Sequence, residues 1–118
     1  MKVLQLIQIS SNKSIAQAVD AECILVSLDS NHTHEHAIAE LNAYADLVSV
    51  GSYCIVFDTV IEDLPAGSFP DRPWDVGDNP FTAMQQFMNT TNDFVVDELC
   101  SAKAQITEAF SGYLKRVN

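Results

Sequence analysis

Residues 23–58 read CILVSLDSNHTHEHAIAELNAYADLVSVGSYCIVFD, and the order of patterns within them decides the fold. Cys23 to Leu28 is a nearly unbroken apolar run, the pattern of a strand buried on both faces of a parallel sheet. From Thr33 to Leu47 the period changes. Ala37, Ile38, Leu41, Ala45 and Leu47 recur near helical spacing, with Glu35, Glu40 and Asn42 assigned to the opposite, polar side. Val50-Gly51-Ser52 is a turn, and Tyr53 to Phe57 is a second buried strand ending at Asp58. Strand, helix, strand in this order predicts a βαβ unit with a right-handed crossover, and α/β as the fold class.

The pattern extends in both directions. Val3 to Ile9 (VLQLIQI) is a strand-length apolar run, Ser10-Ser11-Asn12 interrupts it, and Ile15 to Val19 suits a short helix. Residues 63–80 read DLPAGSFPDRPWDVGDNP and hold all four prolines, which excludes regular structure there. A loop this long is functional or disordered, and Phe69 and Trp74 argue against disorder. Pro80 suits the first turn of a helix reaching about Asn89, with Phe81, Met84, Phe87 and Met88 as its apolar stripe. Phe94 to Val96 and Ala104 to Thr107 read as closing strands. Gly112-Tyr113-Leu114 is a last turn and strand, and Lys115-Arg116 reads as a solvated terminus. Residues 1–118 make one domain, with no internal repeat.

Composition removes whole classes of function. Hydrophobic residues are 47% and charged residues 19%, a globular balance. Six basic against 16 acidic residues give a formal charge of -10, which argues against nucleic acid or an anionic membrane as partner. Cys23, Cys54 and Cys100 lack CxxC spacing, so neither a disulfide framework nor a zinc knuckle is expected. Cys23 and Cys54 read as small core residues. No apolar run approaches a membrane span and no signal-peptide pattern opens the chain, so a cytoplasmic location is expected.

The chemistry concentrates where the strands end. In open α/β sheets the carboxyl ends of the strands face the ligand crevice, and Asp29 and Asp58 follow the two buried strands. Two such carboxylates can share Mg²⁺ or Mn²⁺, with Thr59 adding a neutral oxygen. They can equally cap a helix and open a loop. Of His32, His34 and His36, only the first and last share a helical face, which is too few ligands for zinc. His32, three residues after Asp29, is the candidate general base. Arg72 and Trp74 are candidate substrate contacts, or else Trp74 anchors the loop to the domain and Arg72 pairs with a nearby aspartate.

Four stretches carry a family resemblance: LDSNHTHEH, LVSVGSYCIVFDTVIEDLP, SFPDRPW and GYLKRV. From about Leu6 to Val117 the chain resembles the carboxyl-terminal half of the cephalosporin hydroxylase family, which includes rhamnosyl O-methyltransferases. That family is similar in fold to class I S-adenosylmethionine-dependent methyltransferases. The resemblance implies a partial Rossmann-like, mostly parallel sheet with flanking helices, lacking the fold's first two strands and their glycine-rich cofactor turn. It also implies that Asp29 and Asp58 bind Mg²⁺, that Thr59 stands for an asparagine ligand and that His32 takes the base's place. Ile9 stands where relatives have glycine, and PWDVGDNPF where they have PWGPGNNPK.

The expected function is therefore metal-dependent O-methylation of a hydroxylated small molecule or sugar, with S-adenosylmethionine held weakly or not at all by this chain alone. The alternative is a non-catalytic assembly module, or an inactive truncated fragment. Without the fold's first strand, Cys23 to Leu28 is expected to be a bare apolar edge, which predicts a homo-oligomer.

Overall fold

A computed structural model describes residues 3–4, 23–100, 109 and 111–118. The expected helix at Ile15 to Val19, the strand at Ala104 to Thr107 and the glycine-replacing Ile9 lie outside the described residues.

The βαβ unit forms as its pattern requires. Strand β2 (Cys23–Ile24) and strand β3 (Val26–Leu28) divide the first apolar run at Leu25, helix α1 is His34–Tyr44, and strand β4 is Tyr53–Val56. β3 and β4 are parallel, with Val26 opposite Cys54 and Leu28 opposite Val56. The Thr33 hydroxyl starts α1 by accepting from the His36 backbone N–H, and Glu35 sits in the first turn where a negative charge suits the helix dipole. A 3₁₀ turn (Ala45–Leu47) ends the helix, and Gly51 at φ 86° turns the chain into β4.

The expectation of a mostly parallel sheet is corrected. Strand β5 (Phe94–Val96) and strand β6 (Tyr113–Arg116) complete a four-stranded sheet in the order β3-β4-β6-β5. β6 runs antiparallel to both β4 and β5, so only the β3–β4 pairing is parallel within that sheet. Apolar runs report burial, and burial is the same for either direction. A separate parallel pair joins strand β1 (Val3–Leu4) to Cys23–Ile24, so one apolar run serves two partners.

β6 also corrects the reading of Lys115 and Arg116 as a solvated terminus. Both lie in an interior strand. The Arg116 guanidinium donates to the carbonyls of Asp46 and Val48 at 2.9 and 2.7 Å, closing the end of the α1 segment. Gly112, just before β6, crosses the β4 backbone so closely that a Cβ would lie 2.1 Å from the Val56 carbonyl oxygen.

Helix α2 (Pro80–Met88) begins at a capping box. The Asn79 side chain accepts from the N–H groups of Phe81 and Thr82, the Thr82 hydroxyl accepts from the Asn79 N–H, and Pro80 fills the first turn. α1 and α2 pack against each other, with α1 on β3 and α2 on β4. Val26, Leu41, Tyr44, Val56, Met84 and Leu114 fill the core between helices and sheet. Cys54 is buried there, with its thiol pushed up to about 12, chiefly by burial, which leaves it inert at neutral pH. Cys23 is half-buried, and all three cysteines are free.

Candidate active site

Parallel pairing of β3 and β4 sets the site. The ladder runs on to a bond from the Phe57 N–H to the Leu28 carbonyl at 3.1 Å, so Asp29 and Asp58 emerge at the same sheet end. Asp58 takes the left-handed conformation (φ 59°, ψ 23°), turning the chain sharply into a 3₁₀ helix at Thr59–Asp63. Non-glycine residues adopt this conformation at a cost of roughly 1 kcal/mol, which asparagine and aspartate tolerate best. His32 then reaches back from the entrance of α1. Its Nδ1 lies 3.2 Å from Asp58 Oδ2. One donor atom each from Asp29, His32 and Asp58 lie within 4.8 Å of one another.

This donor set fits a divalent cation. Ligands about 2.1 Å from an ion stand roughly 3 Å apart when adjacent, which the 3.2 Å between His32 and Asp58 matches, and roughly 4 Å apart when opposite, below the 4.8 Å that bounds the set. Two carboxylates supply hard oxygen, the imidazole suits Mn²⁺ or a related ion, and solvent reaches the site because Asp29 is exposed. Thr59, expected as a further oxygen, directly follows Asp58 and is buried at 1% exposure, and His32 is half-buried beside the two aspartates.

The proline-rich loop closes one side. Trp74 meets the His32 ring edge-on, with centroids 4.6 Å apart, and the Arg72 guanidinium carbon lies 5.5 Å from the Trp74 ring centre. His32, Asp58, Arg72 and Trp74 line one cleft of about 460 Å³, with Val60, Leu64 and Phe69 as its apolar wall. The loop is braced rather than slack. The Asp75 carboxylate accepts from the N–H groups of Gly67 and Val76, Glu62 accepts from the Gly77 N–H, and Asp78 Oδ1 accepts from the His34 N–H at 2.7 Å. This last bond ties the loop to the first turn of α1. A second cleft of similar volume lies against α2 and β5, lined by Phe81, Met84, Met88 and Val96, but carries no such donor cluster.

The other two histidines have different surroundings. His34 bridges the helices, with Nδ1 2.8 Å from the Thr82 hydroxyl and Nε2 2.8 Å from Gln86 Oε1. His36 joins Ser30 and Glu40. Glu40 corrects the helix reading, because it is 2% exposed and not on the polar side. The signal was in the spacing: Ala37, Glu40, Leu41 and Tyr44 are the buried stripe of α1, at i, i+3, i+4 and i+7. Burial holds the Glu40 carboxyl above the ordinary carboxylate range, partly offset by the Ser30 hydrogen bond and the His36 ring.

The fold and site therefore describe a mixed α/β domain with an acidic and imidazole cluster at the ends of paired parallel strands, beneath an aromatic-bearing loop. The chain belongs to the rhamnosyl O-methyltransferase/CmcI family, whose model matches residues 2–117. No curated protein and no solved structure matches it. Among the described residues, no helix is long and apolar enough to cross a membrane.

Proposed function

We propose that this domain serves the transfer of a methyl group from S-adenosylmethionine to a hydroxyl of a small molecule or sugar, assisted by a divalent cation at Asp29 and Asp58. The observation that carries the reading is the convergence of Asp29, His32 and Asp58 within 4.8 Å at the ends of β3 and β4. In this reading the sheet is the second half of a Rossmann-like methyltransferase fold, with which the order β3-β4-β6-β5 is compatible. The bound cation would supply Lewis acidity that lowers the pKa of the acceptor hydroxyl. The chain's own residues do the rest. Asp29 and Asp58 hold the charge, and His32, oriented by Asp58 and Trp74, receives the hydroxyl proton as the new O–C bond forms and the S–C bond breaks. Trp74 and the apolar wall cover a ring face of the acceptor, while Arg72 meets its anionic or hydroxylated edge.

Mn²⁺ should raise the melting temperature of the wild-type chain in step with occupancy, and Asp58→Ala should abolish the shift. An equal shift in both proteins would remove the site from the argument. The four glycines, at 51, 67, 77 and 112, form no glycine-rich turn, so calorimetry should show weak or no binding of S-adenosylmethionine to this chain alone. A micromolar isotherm would refute that expectation.

A further inference from the structure

Glu40 is a buried ionisable group that the proposed chemistry does not use. Its Oε1 accepts from the Ser30 hydroxyl at 2.8 Å, while Oε2 has no hydrogen-bond partner among the described residues. Ser30 has one hydroxyl proton, and Glu40 takes it. His36 Nε2, 2.9 Å from the same Ser30 oxygen, is therefore the donor of the second bond. The same nitrogen lies 3.4 Å from Glu40 Oε1, so the three side chains close into one cluster.

An unpaired carboxylate oxygen in an apolar interior is costly, and an apolar side chain at position 40 would continue the buried stripe of α1 without that cost. Among the described residues, the one hydrogen bond Glu40 makes outside α1 is to Ser30, and its charge also faces Asp29 and His32. Ser30 sits immediately after Asp29 and two residues before His32, in a turn whose residues Asp29, Ser30 and Asn31 are all exposed. A solvent-exposed turn has little packing to fix it. Of its further bonds, the one from His36 Nε2 to the Ser30 oxygen belongs to the same Glu40 cluster, and the one from the Thr33 N–H to Asn31 Oδ1 stays within the turn.

We infer that Glu40 is a positioning residue: through Ser30, it fixes the turn that presents Asp29 to the cation and seats His32 between Asp58 and Trp74. The consequence for the cation rests on the metal reading above; the consequence for His32 and Trp74 does not. Outer partners of this kind commonly contribute 10- to 100-fold to metal affinity.

Two measurements separate these consequences. Trp74 is the single tryptophan of the chain, and an imidazole in contact quenches indole emission, so fluorescence of metal-free protein reports directly on the His32 contact. His32→Ala sets the unquenched limit. Ser30→Ala should raise emission toward that limit and weaken Mn²⁺ binding roughly 10- to 100-fold, with a cooperative melt retained because Ser30 is exposed. Ser30→Thr, which keeps the hydroxyl, and Glu40→Gln, which keeps the acceptor, should match wild type in both measurements. Unchanged emission in Ser30→Ala, or an equal rise in Ser30→Thr, would overturn the inference. If wild type binds Mn²⁺ no better than Asp58→Ala does, the metal reading falls, and emission alone decides whether Glu40 positions the turn.

Discussion

Glu40 gives the residue scale its clearest thermodynamic signature. Its carboxyl is held above the ordinary range, first by burial, so the folded chain keeps the proton more readily than the unfolded chain. The resulting stability is complete below the unfolded value of about 4.3 and is lost as pH rises through the folded value. Glutamine keeps the acceptor for Ser30 and does not titrate. The melting temperature of Glu40→Gln minus that of wild type should therefore widen in favour of the variant from pH 4 to pH 8. A flat difference would mean that Glu40 is solvated in the folded protein. Asp29 and Asp58 were legible as strand-end carboxylates because strand length and an aspartate that follows are local features. That the His32 ring would meet both Asp58 and Trp74 was not, because those contacts join residues far apart in the chain.

At the scale of elements, strands β3 to β6 and helices α1 and α2 follow from runs, periods and caps within a few residues of one another. Pro80 and Asn79 mark the start of α2 without any tertiary information. Gly112 is the opposite case. The Ala109 carbonyl crowds a Cβ there at 3.1 Å, but the decisive demand comes from the Val56 carbonyl at 2.1 Å, 56 positions earlier in the chain. Gly112→Ala should force β4 and β6 apart and cost about 1–3 kcal/mol or more, as overpacking does. Urea denaturation measures it, and a change under 0.5 kcal/mol would show that the crossing relaxes freely. The same crossing explains the direction error in the sheet. β6 inserts between β4 and β5, and only a partner's register reveals which way a strand runs.

At the scale of the molecule, pairing and charge oppose each other. Among the described residues β3 has one hydrogen-bonded neighbour in its sheet, β4, and β1 covers only Cys23–Ile24. A strand with one ladder neighbour can pair with a second copy, most simply about a twofold axis, although Val26, Ser27 and Leu28 already bury their side chains within the chain, against the expectation of a bare apolar edge. The formal charge of -10 resists this but is screened at physiological salt, where the Debye length is about 8 Å. Light scattering at micromolar concentration should return a dimer that weakens as salt is lowered, and a monomer at all salt concentrations would refute the pairing. What the sequence determined by itself is whatever depends on neighbours along the chain: the βαβ order, the helix starts, the proline-rich loop and the two strand-end aspartates. Tertiary structure alone decided the antiparallel return of β6, the bond between Ser30 and Glu40 and the meeting of His32, Asp58 and Trp74. Those depend on which surfaces face each other, and a hydrophobic period states that a face is buried without stating against what.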